Sequence, residues 1–353
     1  MDFGLVLASK VDEIGIVAHA ENLGYSHAWI TDSPMVRSEV HASLALAVQQ
    51  TRSIRIGTGV AVPDLRIAPV MAQGIATIAR LAPGRTFLGV GSGNSAWYAM
   101  GLRPPKVAAM AEYLRVVRGL LAGERVEFTL NGRKTLVEFL LKDYRFVDIR
   151  QKIPIYLSAF GPKVQALAGQ YADGMILSMP RVARLEDALA NVRLGAERAG
   201  RPLDGFYTAL FRSVVVLEPG EAANSERIVR ESGPSIMSTV HYLYEKLRKT
   251  GGEPPSFVRP IWKRFCALMA GVPDEVLHFK LHQGHSTFLP PEEAELITEE
   301  LVRATCLIGR PEELVEHLRG LEREGIRQFM FQPPVEYQHR IVENFSRKVM
   351  EAM

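Results

Sequence analysis

The chain has 353 residues, with 42 Lys and Arg against 39 Asp and Glu and a formal net charge of +3; the charges interleave without a long basic run, so neither nucleic acid nor an anionic membrane is indicated as a partner. With 47% hydrophobic and 23% charged residues, the composition is that of an ordinary globular protein, long enough to bury a large core. The two cysteines, Cys266 and Cys306, form no CxxC spacing, no apolar run reaches the length of a membrane span, and no signal-peptide pattern follows Met1, so a soluble cytoplasmic protein with no zinc ribbon or disulfide framework is expected.

Taken in chain order, apolar and β-branched runs at 3–7, 26–31, 54–60 and 86–90 predict strands, with helical patterns at 11–23, 42–50, 68–81 and 107–121 after each in turn. Strands at 153–157, 174–178, 208–217 and 328–331 follow, with helices at 163–171, 185–199 and 311–324. Most of these strands are apolar at nearly every position, as parallel strands buried on both faces are. Eight strands alternating with helices fit one TIM-type (β/α)8 barrel over 1–353. Two stretches break the alternation and are expected as insertions at the C-terminal rim. Residues 124–150 predict a hairpin turning at Asn131-Gly132. Residues 218–310 form a long excursion with helical patterns near 225–249 and 256–281, a candidate lid.

In such a barrel the site lies at the C-terminal strand ends. The candidates there are Ala8 and Ser9; Asp32 and Ser33; Thr58, Gly59 and Val60; Gly91 to Asn94; Ser158, Ala159, Phe160 and Gly161; Ser178 and Met179; and Gln332. Asp32 is the one strong charge and a catalytic candidate, and a rim poor in acids, bases and metal ligands suits a cofactor that brings its own chemistry. The segment from Ser158 through Pro162 to Lys163 reads as strand, turn and helix start, either a phosphate site or an ordinary turn. Gly57 and Gly59 mark either a bulge where a ligand approaches or a plain strand end. Gly89, Gly91 and Gly93 are spaced G-x-G-x-G, not as a dinucleotide fingerprint; they permit close packing or the approach of a flat ring, and we favour the ring.

His278, His282 and His285 could share a helix face and hold a metal, but Gly284 interrupts the pattern and no carboxylate or cysteine completes a ligand set. We therefore expect no metal. A lid offering His282 and His285 to substrate or cofactor is the functional reading, and a solvated loop the plain one. His41 opens the second helix near Asp32, as a general base or as a cap. Trp97, Tyr98 and Met100 would line the cavity or fill the core.

The run from Gly57 to Gly93, GTGVAVPDLRIAPVMAQGIATIARLAPGRTFLGVGSG, resembles the luciferase-like superfamily, as does IYLSAFGPKVQALAGQYADG from Ile155 to Gly174. The likeness is nearest to the methylenetetrahydromethanopterin reductase branch; it thins over 218–310 and resumes weakly at 308–314. The resemblance implies an oxidoreductase or monooxygenase that acts on a small organic molecule through FMN, delivered reduced by a separate reductase, or through the deazaflavin coenzyme F420. It implies a cis peptide at Gly59-Val60 against the ring, ring or side-chain contacts from Asp32, Thr58 and Asn94, and a phosphate turn at Ala159, Phe160, Gly161 and Pro162. Ser92 stands where some flavin-using members carry an arginine for the FMN phosphate, which keeps the deazaflavin reading open. His41 matches the catalytic histidine of light-emitting members only loosely, so luminescence is not implied. A homo-oligomer is expected. The rivals are a flavin-binding protein without turnover and a metal-dependent barrel hydrolase; the first strand lacks the His-x-His that the latter needs.

Overall fold

Runs that are apolar on both alternating faces need cover on two sides, and a closed barrel inside a ring of helices supplies it. The computed structural model describes residues 1–178 and 184–353, so Met179, expected at the rim, lies outside the described residues. The strands are β1 (Asp2–Leu7), β2 (His27–Ile30), β3 (Arg55–Ala61), β4 (Thr86–Val90), β5 (Val126–Leu130), β6 (Arg133–Val137), β7 (Ile155–Ser158), β8 (Gly174–Ser178), β9 (Tyr207–Phe211), β10 (Ser213–Val216), β11 (Cys306–Gly309) and β12 (Gln328–Phe331). The helices are α1 (Ile16–Asn22), α2 (Val40–Gln49), α3 (Ala68–Leu81), α4 (Asn94–Ala99), α5 (Val107–Leu121), α6 (Pro162–Tyr171) and α7 (Leu185–Arg198), then α8 (Glu226–Thr250), α9 (Arg259–Met269), α10 (Leu277–His282), α11 (Pro291–Ala294), α12 (Glu299–Thr305), α13 (Pro311–Glu324) and α14 (Gln338–Lys348).

Eight strands close a barrel in the order β1-β12-β9-β8-β7-β4-β3-β2, each pair parallel. The protein is a TIM-type barrel. Along each strand alternate residues face in and out. Leu5, Leu7, Ile30, Ile56, Leu88 and Leu157 point outward into the core shared with the helices. Val6, Trp29, Phe87, Tyr156, Ile176 and Met330 point inward and fill the barrel. Trp29 and Phe87 pack with ring centroids 4.3 Å apart, and Trp29 Nε1 donates to Gln328 Oε1 at 3.1 Å. The glycines beside them are required by space: a Cβ at Gly89 would lie 2.2 Å from the Thr58 carbonyl oxygen, and one at Gly91 would lie 2.6 Å from Val60 Cγ2. Close packing therefore accounts for Gly89, and Gly91 is held against Val60 at the strand ends.

Three expectations need adjustment. The hairpin β5–β6 turns at Asn131-Gly132, both with positive φ (51° and 78°), but it links α5 to β7. A helix-to-strand connection returns the chain to the strand starts, so the hairpin sits at the N-terminal end of the barrel, opposite the rim. The run 208–217 is two strands, not one. β9 belongs to the barrel, and after Arg212 the chain leaves it as β10, which pairs in parallel with β11. A continuous β-branched run carries no sign of a change of partner. The excursion at 218–310 rises from the C-terminal end of the seventh barrel strand, as expected, but it is a folded helical unit with its own core that includes Met237, Val240, Ile261, Phe265, Leu281 and Leu301. Its second helical pattern divides into α9 and α10 around Gly271 (φ 79°) and Pro273. Among the described residues no helix is long and apolar enough to cross a membrane.

Candidate functional site

The alternation that points Val6, Trp29, Tyr156, Ile176, Ala209 and Met330 into the barrel brings the residues two positions on to its C-terminal mouth. These are Ala8, Thr31, Ser158, Ser178, Phe211 and Gln332, of which all but Thr31 are half-buried. Over β3 the register slips between Thr58 and Ala61, which bulges Gly59 and Val60. The Gly59-Val60 peptide is cis, as the resemblance implies, and Val60 is half-buried above the aromatic cluster. Thr58 is fully buried and its hydroxyl donates to the Gly89 carbonyl at 2.7 Å, so its proton holds β3 to β4 and is not free for a ligand.

Asp32 and His41 are joined in one network through two residues that sequence reasoning missed. The Asp32 side chain is 2% exposed, and Arg66 Nη1 donates to its Oδ2 at 2.6 Å. Arg66 Nη2 reaches Glu39 Oε1 at 2.7 Å. Glu39 in turn caps α2 by accepting from the Ala42 amide (2.8 Å) and meets His41 Nδ1 at 3.1 Å. A buried carboxylate needs such a partner. Asp32, expected to be catalytic and to meet the cofactor, thus has its charge matched by Arg66. His41 packs against Gly74 of α3, where a Cβ would lie 2.5 Å from Nε2; that nitrogen is buried without a partner.

The turn after β7 has the properties of an open helix start. Gly161 is the N-cap of α6, with no side-chain cap and, among the described residues, nothing within 4 Å of a Cβ built on it. Pro162 follows at the first helical position, and the amides of Val164 and Gln165 fold back on the Gly161 carbonyl at 3.0 and 2.9 Å. The Lys163 amide has no acceptor within the helix, as first-turn amides do not. Ser158, Phe160 and Gly161 are half-buried and Pro162 is exposed, whereas Ala159 is fully buried and its amide bonds to Ile176 at 3.0 Å. Asn94 begins α4 beside Gly93 (φ 61°) and lines a cleft of about 500 Å³ with Tyr98, Arg103, Pro104 and Lys249.

The helical unit brings His282 and His285 together, their ring centroids 5.5 Å apart. Both occupy a largely buried polar cluster: His282 Nε2 lies 3.5 Å from Glu245 Oε1, and His241 Nε2 lies 2.8 Å from Glu293 Oε1. Burial, with help from Arg37 and the neighbouring histidines, pushes His285 down to about 3, so it is neutral at physiological pH. His278 is separate, its ring tilted against that of Phe279 at 4.0 Å between centroids. Among the described residues no group of three or more His, Cys, Asp or Glu could hold a metal. The link between this unit and the barrel mouth is Arg37, which sequence reasoning also missed. Its Nη1 donates to Thr31 Oγ1 at 2.6 Å and its Nη2 to the His285 carbonyl at 3.4 Å. The Gln332 amide, oxygen turned toward Arg37, accepts from both at 3.2 and 3.0 Å.

A cavity of about 830 Å³ opens at the opposite end, where Arg118, Lys152 and Arg201 surround Asp173. In barrels of this type the N-terminal end serves stability and the C-terminal end chemistry, so we assign the site to the mouth.

Comparison with known proteins agrees with this fold. The sequence model of the luciferase-like monooxygenase family matches residues 8–328. The 5,10-methylenetetrahydromethanopterin reductase of Methanolobus tindarius is 33% identical over 207 residues, covering 57% of this chain and 61% of the relative. The enzyme of the same name from Archaeoglobus fulgidus is 26% identical over 328 residues, covering 90% and 87%. The structure of the coenzyme F420 dependent tetrahydromethanopterin reductase from Methanopyrus kandleri superposes with a TM-score of 0.67 at 21% identity, over 99% of both chains. This chain belongs to the luciferase-like monooxygenase family, a family of oxidoreductases.

Proposed function

We propose that the protein is an oxidoreductase that binds coenzyme F420 at the barrel mouth and uses it on a small organic molecule. The observation that carries this reading is the mouth layer itself. Ala8, Thr31, Ser158, Ser178, Phe211 and Gln332 contain no acid, base or thiol, so the redox chemistry must come from a bound group. The residues present fit such a group. The uncapped start of α6, open above Gly161, suits a phosphate, and half-buried Val60 offers apolar surface to a ring. When bound, F420 would supply hydride transfer. The chain's part is to hold it: Val60 and Ser158 at the ring, the Lys163 amide and Gly161 at the phosphate, and Asn94 at the edge of the mouth. Asp32, Thr58 and Arg66 act from behind as positioning residues, and the helical unit over the mouth excludes water.

FMN ranks second. The sequence alone places it first, but both methylenetetrahydromethanopterin reductases match the chain, and Ser92 offers no cation to the FMN phosphate. On the FMN reading, a separate reductase supplies the reduced flavin. Titration of the protein with F420 and with FMN, followed by fluorescence, tests the proposal. Saturable binding of F420, tighter than that of FMN, is expected. Binding of neither removes the function, and tighter binding of FMN exchanges the cofactor.

A further inference from the structure

Among the described residues Arg37 is a cation without a counter-ion. Its contacts are Thr31 Oγ1, the Gln332 amide oxygen and the His285 carbonyl, all neutral, and it forms no ion pair with any described carboxylate. The His285 side chain, its pKa lowered by burial, is neutral and supplies no countercharge either. Buried charges in proteins are paired and hydrogen-bonded, and an unpaired one is costly. The carboxylates that could have served are engaged elsewhere: Asp32 with Arg66, Glu293 with His241 and Glu245 with His282.

The arrangement of donors narrows the ligand. A guanidinium has five N–H groups. The four on Nη1 and Nη2 match the two bonds to Gln332, the one to Thr31 and the one to His285. The fifth, on Nε, is buried with no partner among the described residues. Nε–H and one Nη2–H lie along the same edge of the fork, the edge that grips a carboxylate with two parallel bonds. Among the described residues the other contact on that edge is the longest of the set, Nη2 to the His285 carbonyl at 3.4 Å. The remaining contacts anchor the fork to β2 and β12 and leave this edge facing the helical unit.

We propose that Arg37 recognises a carboxylate on the substrate, whose two oxygens take the Nε–Nη2 edge in place of the His285 carbonyl. The inference rests on the oxidoreductase reading for the word substrate, but the anion site stands or falls independently. Binding would exchange one long neutral contact for two charge-assisted bonds and would loosen the helical unit where it meets the mouth. Because the carbonyl belongs to the segment that carries His282 and His285, the substrate anion and the position of both histidines are coupled.

The test uses the full chain and three probes: benzoate, its neutral analogue benzamide, and inorganic phosphate, each followed by calorimetry and by the Arg37 Nε–H resonance in a 15N spectrum. Benzoate is expected to bind at least about ten-fold tighter than benzamide, the ratio one charge-assisted hydrogen bond supplies, and to shift the Nε–H resonance. Arg37→Gln should lose that preference. Arg37→Lys, which keeps the charge without the fork, should retain only part of it, and it serves if Arg37→Gln fails to fold. Equal binding of benzoate and benzamide by the wild type overturns the proposal, as does undiminished benzoate binding by Arg37→Gln. Tighter binding of phosphate than of benzoate overturns the carboxylate assignment. A protein that binds benzoate through Arg37 but binds neither F420 nor FMN upholds the anion site and removes the oxidoreductase reading.

Discussion

Replacing Arg66 with methionine strips Asp32 of its partner while keeping most of the side-chain volume. Loss of one member of a buried ion pair costs about 3–5 kcal/mol, because the remaining charge stays out of water without compensation. Here the Asp32 side chain is 2% exposed but Arg66 keeps 18%, which favours the lower end, about 3 kcal/mol. The second contact of Arg66, to Glu39, adds no more than about 1 kcal/mol, since the Glu39 side chain is half exposed. Urea unfolding followed by far-UV circular dichroism should show a lowered midpoint at an unchanged slope. Adding Asp32→Asn removes the stranded charge and leaves a buried amide, so the double variant should recover about 1–2 kcal/mol. A single variant within about 0.5 kcal/mol of wild type, or a double variant no more stable than Arg66→Met, would refute the view that this pair holds the loops after β2 and β3 together.

Gly161→Val should leave the unfolding midpoint within about 0.5 kcal/mol of wild type, since a Cβ there meets nothing within 4 Å, yet weaken cofactor binding by crowding the approach to α6; undiminished binding in a titration would remove the phosphate assignment. Burial pushes the Glu21 carboxyl up, but hydrogen bonds from Ile54, Ser53 and Arg52 outweigh it and hold it at about 2. Its folded value lies below the ordinary 4.5, so its stabilisation is complete above about pH 4.5 and is lost as pH falls toward 2. Acid-unfolding curves of Glu21→Gln should therefore be flatter than wild type in that window; parallel curves would contradict the assignment. His285, held at about 3 by burial and by Arg37, makes the unfolded chain the better proton acceptor below pH 6.5, so stability drains away as pH falls from 6.5 toward 3. His285→Gln should remove that component, and an imidazole resonance of His285 titrating near 6.5 in the folded protein would count against it.

The barrel was legible because buried parallel strands are written as uninterrupted apolar runs, and all eight appear among the observed strands. The change of partner at Arg212 was not, since β9 and β10 are equally β-branched and the partner of β10, β11, lies about ninety residues away. The candidate site divides in the same way. Val60, Ser158 and Gly161 could be named from strand ends and glycines, and the cis peptide only from the resemblance. Arg66 and Arg37 were invisible because a lone arginine in a loop does not announce its partner: Arg66 meets Asp32 across 34 positions, and Arg37 meets His285 across 248. His41 does not meet Asp32 directly, for a related reason. Its proximity to Asp32 in sequence suggested direct chemistry, whereas Glu39 and Arg66 stand between them and the ring rests on α3.

The most direct test of the central claim is a crystal structure of the protein with F420 bound. The account predicts the deazaflavin ring against Val60 at the barrel mouth and a phosphate at the first turn of α6, beside Gly161 and the Lys163 amide. A ring bound elsewhere, above all in the cavity at the N-terminal end beside Arg201 and Asp173, would contradict it.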